Sequence, residues 1–555
     1  MPEPLANPPG EMKPEYQVVV IGSGYGGAIT AARLAEAGKD VCILERGKEW
    51  IPGTFPDSLS AIAGQVRSPL NRLGLYEFVP GDDVDVFKGS GLGGTSLINA
   101  NVAIRPDPEL FEDPRWPQSI RDAATSGVLA TFYDKASVML GVNPHPTGLS
   151  LKKVQALQKG ALTVPDSAFG LLDVAVSFTN GPNHVGVEQK ECINCGDCVT
   201  GCNVRAKNTL YMNYLPFAKQ KGVAIFVHIE VSHVEKNADG TYRVLFRRNT
   251  AHNQGAIEVL KARNVVLASG TLGSSEILLR SKEHGLAVSP RLGKGVSGNG
   301  DFFGIAYNGG DVTDIMGFGN HEGSPRSAVI AGPTIVSTLR HDRSQPFASR
   351  ITFQDLSIPL GLVDVTRRAL PKLAFLTGQD TDFGFIDRIQ ELAAMGRDFL
   401  PGDPSPQGAL NHSMVYLVMG IDSAQGEIVL NSGGTVKLKW PGVAEEPIFN
   451  KMNVKIREQA QVLGSTFIEN FRWSFLGGRN LITVHPLGGC SIAETSDQGV
   501  VDDRGRVFDG SGGIHGGLYV VDGAIVPTGL GVNPFMTISA LAELIAEKMP
   551  QTLAP

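Results

Sequence analysis

The chain has no apolar run that approaches the ~18 residues a helix needs to cross a bilayer; stretches such as VYLVM at 415–419 are the longest it offers. No transmembrane segment is expected. The opening MPEPLANPPGEMKPEY has no basic start, apolar segment or small-residue cleavage site of a secretory leader, and no twin arginine. Positive charge is not in excess: 49 Lys+Arg stand against 56 Asp+Glu, a net charge of -7. Such a chain has no field to gather phosphate polymers or anionic lipid, which argues against nucleic acid as a partner. A soluble, cytoplasmic protein is expected. Cysteine is scarce, six in 555 residues, and in a reducing compartment thiols stay free or take metal rather than pair as disulfides.

Glycine and proline are plentiful, at 67 and 34, and are spread without internal repeat or low-complexity tract. That composition fits a large, loop-rich α/β enzyme of roughly two to four domains. In QVVVIGSGYGGAITAARLAEAGKDVCILERG the spacing predicts strand, glycine turn, helix and strand. Val18 to Ile21 has the length of a buried parallel strand, and Ala28 to Ala37 follows helical spacing to a stop at Gly38. A second apolar run, Val41 to Leu44, ends in Glu45. Gly22, Gly24 and Gly27 supply the tight turn, the close approach to a pyrophosphate and close helix–strand packing, so that the helix N-terminus faces the phosphates. Glu45, 23 positions after Gly22, can accept hydrogen bonds from a ribose. Cys42, between apolar strand residues, reads as core. This motif alone does not separate NAD from FAD.

Distant segments do. GSGLGGTSLINANVAIRP at 89–106 packs glycines and hydroxyls ahead of an apolar run, a layout suited to backbone lying against a flat or anionic group. NVVLASGTLGSSEILLR at 264–280 gives a buried strand, a turn at Gly270 and Gly273, and a helix. HPLGGC at 485–490 and LYVVDGAIVPTGLGVNPFMTISALAELIAEKM at 518–549 follow near the end. Together these resemble the glucose–methanol–choline (GMC) flavoprotein oxidoreductases, in the branch similar to bacterial cholesterol oxidases, over roughly the whole chain except about 310–410. The resemblance implies an α/β protein with a discontinuous, Rossmann-like FAD-binding domain and an α+β substrate domain on a large mixed sheet with helices. The corresponding segments are 1–135, 186–305 and 476–555 for FAD binding, 136–185 for a cap and 306–475 for the substrate domain.

Carried onto this sequence, the resemblance assigns Gly22, Gly24, Gly27 and Glu45 to the ADP half of FAD. It lays Gly93, Gly94 and Asn99 along the pyrophosphate and isoalloxazine, and the strand around Val231 beside the adenine. The turn at Gly270 repeats the strand–turn–helix layout. Asp522 and Gly523 meet the ribityl and pyrophosphate, and the helix starting near Pro534 points its positive end at the flavin.

Oxidising an alcohol on a flavin requires a hydride to leave carbon while a proton leaves oxygen, so a hydrogen-bonding base is needed beside the ring. In the family the histidine and asparagine matching His485 and Asn533 bind the substrate hydroxyl. His485 precedes a proline and a double glycine, which constrain its backbone and add no bulk. Asn533, before Pro534, suits a helix N-cap as well as a hydroxyl ligand. Asp355 in RITFQDLSIP falls about where cholesterol oxidases place a carboxylate proposed for double-bond isomerisation, though an acid on a strand is more often solvated or paired. From Pro359 to about Asn411 the sequence departs from the family; its amphipathic spacing suits either a lid over an apolar substrate or ordinary packing helices.

The stretch ECINCGDCVTGC at 191–202 places Cys192, Cys195, Cys198 and Cys202 at the spacing CxxCxxCxxxC. Thiolates so spaced can converge on one cluster while intervening amides donate to its sulfides. Structural zinc usually draws on two separated knuckles, so an iron–sulfur cluster, [4Fe–4S] or [3Fe–4S], is favoured over zinc, with an unmetallated loop as a further reading. Either Cys202 closes the cluster, or three cysteines hold it, or Cys490 completes it.

The sequence thus points to FAD-dependent oxidation of a CH–OH group on an apolar or sterol-like alcohol, with electrons relayed to a protein or quinone acceptor. Three rivals stand beside this reading: a peroxide-producing oxidase, a non-redox lyase on the same fold, and a flavin electron-transfer module.

Overall fold

The computed structural model describes residues 4–320, 330–381, 385–400, 402, 404–470, 472–473, 478 and 480–554. Two large sheets organise these residues. The first has eight strands, and its parallel centre is built from Ala224–Phe226, Val41–Leu44, Glu15–Ile21, Gln254–Leu267 and Ile514–Val520, side by side in that order. Val18 pairs with Val41 on one side and Asn264 on the other. The runs VVVI and VCIL are fully buried because helices cover both faces of a parallel sheet. Tyr242–Asn249 and Ile229–Lys236 extend this sheet as an antiparallel hairpin.

The first strand and the first helix, Tyr25–Glu36, each begin three residues before the apolar spacing suggests. Glycine explains the earlier helix start. A Cβ on Gly26 would overlap the Val521 carbonyl and one on Gly27 the Gly22 carbonyl, so only glycine lets the first turn sit this close to the strand ends.

The second sheet has seven strands in the order Gly378–Gln379, Thr466–Ile468, Phe302–Tyr307, Met414–Met419, Ile351–Leu356, Ser337–His341 and Ser167–Leu171, each pair antiparallel. Successive side chains point to opposite faces. One face, with Phe302, Phe353, Tyr416 and Val418, is packed under the helices Lys152–Thr163 and Pro447–Val462. The other, with Phe303, Leu356, Leu417 and Met419, meets Ala100, Val102 and Ile104 just after the second glycine loop. That apolar seam joins the second sheet to the segment after the second glycine loop.

The segment that departs from the family forms the helices Leu360–Thr377 and Phe385–Asp398. Val363 and Leu370 anchor the first in the core, while Phe375 and Leu376 stand exposed. No described helix is long and apolar enough to cross a membrane.

Candidate active site and thiol loop

Two long helices begin at the same place without side-chain caps. The helix Tyr25–Glu36 starts from Gly24 and the helix Phe535–Lys548 from Pro534. Their first rings, Tyr25 and Phe535, stack at 5.1 Å. Uncapped N-terminal amides leave N–H groups and positive dipole ends converging on one region, a natural seat for a pyrophosphate. A Cβ on Gly24 would meet nothing within 4 Å, whereas one on Gly94 would come within 3.0 Å of the Gly24 Cα. The two glycine loops therefore close on each other and leave a cradle beside Gly24. Gly93 joins them by donating its N–H to Ser23 Oγ at 2.9 Å.

Of the remaining expected residues, Glu45, Asp522, Gly523 and Asn99 fall around this point. Glu45, buried at its strand end, accepts from Ser23 Oγ at 2.6 Å and the Gly47 N–H at 2.8 Å. Asp522 accepts from the Gly270 N–H at 2.8 Å and Ser274 Oγ at 2.5 Å, tying two strand–turn junctions together. Burial holds the Asp522 carboxyl above its usual range. Gly523 lies against Thr271, where a Cβ would come within 2.9 Å of the hydroxyl. Val231 lies buried at an irregularity in its ladder, and Asn99 donates to the Tyr25 hydroxyl at 2.8 Å. The open cradle, the uncapped amides and the acid at a strand end fit the pyrophosphate and ribose of FAD.

His485 and Asn533, 48 residues apart, are held from one short turn, Ser297–Asp301. The side chain of Asp301 is wholly enclosed. Its Oδ1 lies 2.8 Å from His485 Nδ1, and its Oδ2 accepts from the Val484 N–H, the His485 N–H and Thr483 Oγ1 at 2.8–3.0 Å. An ionised carboxylate only accepts, so Nδ1 carries the proton and Nε2 offers a lone pair. Two residues earlier Asn299, at φ 57°, clamps the other loop. Its Oδ1 takes the Leu530 and Gly531 N–H groups at 2.7 and 3.1 Å, and its Nδ2 donates to the Val532 carbonyl at 2.9 Å. Asn533 follows directly, buried, with its Oδ1 accepting from Gln354 Nε2 at 2.5 Å. An acceptor on His485 and a donor on Asn533 are the two functions an alcohol oxygen and its proton require. Below the turn, Asp422 accepts from Ser297 Oγ at 2.7 Å and the Gly300 N–H at 2.8 Å, and burial pushes its carboxyl up to about 6.

Asp355 does not join this site, which corrects the expectation drawn from its place in the sequence. Strand alternation turns Gln354 toward Asn533 and Asp355 to the opposite face. There Asp355 accepts from the Ser337 N–H at 2.6 Å and Ser337 Oγ at 2.8 Å, and pairs with the buried Lys153 ammonium at 3.0 Å. The two form a buried ion pair. Sequence reasoning missed Asp301, Asn299 and Gln354. The run GNGD at 298–301 has the composition of a turn, and nothing local ties it to His485, 184 residues away.

All six cysteines are free thiols. Asn194, Gly196, Gly201 and Arg205 adopt positive φ around the loop 191–202, winding it so that amides face sulfur. The Asn194 N–H lies 3.4 Å from Cys192 Sγ, and the N–H groups of Val204, Ala206 and Lys207 approach Cys202 Sγ. Burial pushes the Cys192, Cys195 and Cys202 thiols up, with neighbouring thiols of the loop adding to the rise. Asp197, pushed up to about 6 by burial, accepts from the Leu360 N–H at 2.6 Å and seats the helix Leu360–Thr377 on the loop. Lys207 is buried and spends its ammonium on three carbonyls: Leu97 at 3.0 Å, Asn99 at 2.7 Å and Cys198 at 3.0 Å. It thereby joins the thiol loop directly to the Asn99 loop. Cys490 lies elsewhere, 3.6 Å from Ser275 Oγ and pushed up to about 12 by burial, so it does not complete the thiol set.

Among the described residues, only His233, Glu235 and His284 bring three metal-binding atoms within 4.8 Å of one another. The two rings stack at 3.8 Å with planes 8° apart, so their lone pairs run side by side instead of toward one ion. The loop thiols are spread more widely than a single tetrahedral zinc ion needs.

Comparison with known proteins identifies the family. A cholesterol oxidase of Mycobacterium tuberculosis is 27% identical over 97% of this chain and 92% of that protein. A long-chain-alcohol oxidase of Arabidopsis thaliana is 22% identical over 96% of this chain and 67% of its own. The fold matches that of pyridoxine 4-oxidase from Mesorbium loti, with a TM-score of 0.59 at 15% identity, over 97% of this chain and 99% of the other. Family models described as GMC oxidoreductase match residues 25–297 and 448–542, about two thirds of the sequence. With the cradle, the paired helix N-termini and the matched segments in agreement, the chain belongs to the GMC oxidoreductase family.

Proposed function

We propose that the protein oxidises the CH–OH group of an apolar, sterol-like or long-chain alcohol, with His485 and Asn533 binding the hydroxyl. Bound FAD supplies the hydride acceptor. His485 Nε2 takes the hydroxyl proton as the C–H bond breaks, and Asn533 Nδ2 donates to the oxygen, where charge builds. Asp301 keeps the ring in the competent tautomer and stabilises the imidazolium that forms. The pairing of His485 with the buried Asp301 carries this reading, because it leaves one acceptor nitrogen on the ring.

The apolar substrate class rests on the relatives, a cholesterol oxidase and a long-chain-alcohol oxidase. Enclosing a long or fused-ring hydrocarbon removes apolar surface from water, while its hydroxyl meets the donor of Asn533 and the acceptor of His485.

The cysteine loop extends the proposal. Cys192, Cys195, Cys198 and Cys202 would hold an iron–sulfur cluster and pass electrons to a protein or quinone acceptor. The amides at Cys202 and the buried ammonium of Lys207, which has no carboxylate partner among the described residues, suit an anionic occupant. This reading places the working enzyme in a reducing compartment such as the cytoplasm.

Anaerobic addition of cholesterol or a long-chain alcohol should bleach the visible flavin band, and replacing His485 by Ala should slow bleaching by ~10²-fold or more with FAD retained. A flavin that stays oxidised with every alcohol tried would point to lyase or electron-transfer use of the fold. Iron and acid-labile sulfide in anaerobically purified protein test the cluster.

A further inference from the structure

Gln354 is enclosed on all sides, between Thr352 and Leu356 on its own strand and beside Leu417 on the next. A buried amide has four hydrogen-bonding functions to satisfy, and leaving one unmet is costly. Here Nε2 donates to Asn533 Oδ1 at 2.5 Å, while Oε1 is buried with no hydrogen-bond partner among the described residues. An apolar side chain of similar length would fill the same space without that penalty. The amide must therefore earn its place through the one contact it makes.

That contact settles a choice Asn533 cannot settle alone. A carboxamide can present oxygen or nitrogen to a hydroxyl with little difference in shape, and only nitrogen is useful beside His485, where the alcohol proton already has its acceptor. By occupying Asn533 Oδ1 with a donor, Gln354 leaves Nδ2 for the substrate oxygen.

We propose that Gln354 is a positioning residue that fixes the amide polarity of Asn533, so that the site offers an alcohol one donor and one acceptor in a set order. The inference rests on the function proposed above for His485 and Asn533. It also accounts for a neutral amide at this point of the strand: a carboxylate here would accept from Asn533 Nδ2 and withdraw the donor from the substrate.

The test is anaerobic stopped-flow reduction of the FAD-loaded enzyme by an alcohol, comparing wild type, Gln354→Met, Gln354→Glu and Asn533→Ala, with FAD content and Tm as checks on folding. Gln354→Met should lower the rate constant of flavin reduction by about 10- to 100-fold with little change in apparent substrate affinity. The same substitution on the Asn533→Ala background should have almost no further effect, because its target is gone. Gln354→Glu should lose activity as pH rises and the introduced carboxyl ionises, and recover when it is protonated and can donate again. A merely structural glutamine would give neither the non-additivity nor the new pH dependence. Undiminished reduction by Gln354→Met, or equal losses on both backgrounds, would overturn the positioning role alone. A wild-type flavin that no alcohol reduces would remove both this inference and the reading beneath it.

Discussion

Replacing Asp301 by Asn isolates the electrostatic part of the site, because the shape is conserved and one side-chain oxygen remains as an acceptor. In the wild type, Oδ2 holds the Val484 N–H, the His485 N–H and Thr483 Oγ1, and Oδ1 faces His485 Nδ1 at 2.8 Å. The asparagine oxygen should stay with the three donors, which turns its NH2 toward Nδ1. Two effects then act in the same direction. The developing imidazolium loses a buried anion: at an effective dielectric of about 20 and a charge separation of about 4 Å, a full charge would be worth about 4 kcal/mol, and half a charge at the transition state about 2 kcal/mol. That is about 30-fold in rate. The NH2 also favours a ring protonated on Nε2, which cannot accept the alcohol proton, so 30-fold is a floor. The assay is anaerobic stopped-flow bleaching of the flavin by an alcohol, with FAD content and Tm confirming an intact fold. A rate within twofold of wild type would refute the assignment of Asp301 as the group that sets the tautomer and charge of His485.

Four further outcomes separate cradle, core, turn and thiol loop. Gly24→Val should fold yet purify without FAD, since its side chain enters the open cradle, whereas Gly27→Ala should lower Tm sharply because its Cβ overlaps the Gly22 carbonyl; FAD-to-protein ratios and melting curves tell them apart. Asp355→Asn leaves the Lys153 ammonium buried without its anion and should cost about 3–5 kcal/mol of stability in denaturant titrations, with flavin reduction unchanged in the folded fraction. Asp422 titrates near 3.8 when unfolded and about 6 when buried, so the unfolded chain releases this proton first and native stability falls as pH rises through that window. Asp422→Asn removes the effect, and its stability relative to wild type should grow by up to about 3 kcal/mol between pH 4 and pH 7. Cys195→Ser should lose iron and sulfide while the flavin is still reduced by alcohol, and Cys490→Ser should keep its iron; equal iron content in Cys195→Ser would contradict the cluster.

The nucleotide half was legible because its signals are local. Gly22, Gly24, Gly27 and Glu45 lie within 24 residues, and each has a separate steric or hydrogen-bonding reason to be what it is. The substrate sheet was not, because its strands come from positions between 167 and 468 and no local pattern states which strand pairs with which. Asp355 shows the limit most plainly. The sequence singled out Asp355 on its strand, but which of Gln354 and Asp355 faces the site depends on what packs on each side, and Lys153, some 200 residues earlier, decides it. His485 and Asn533 stood out as candidates through the resemblance, while the turn that organises both, Ser297–Asp301, carries its meaning in contacts 184 and 233 residues long. The thiol spacing was visible at once; the tie through Lys207 to the Asn99 loop appears only in three dimensions.

The central claim is that separate segments fold around one flavin and set an imidazole acceptor and a carboxamide donor over it. Its most direct test is the rate of anaerobic flavin bleaching by an alcohol carrying deuterium on the carbinol carbon, in wild type, His485→Ala and Asn533→Ala. The account predicts slower bleaching with deuterium in the wild type and a large loss of rate in both variants with FAD still bound. Bleaching at wild-type speed in either variant would contradict it.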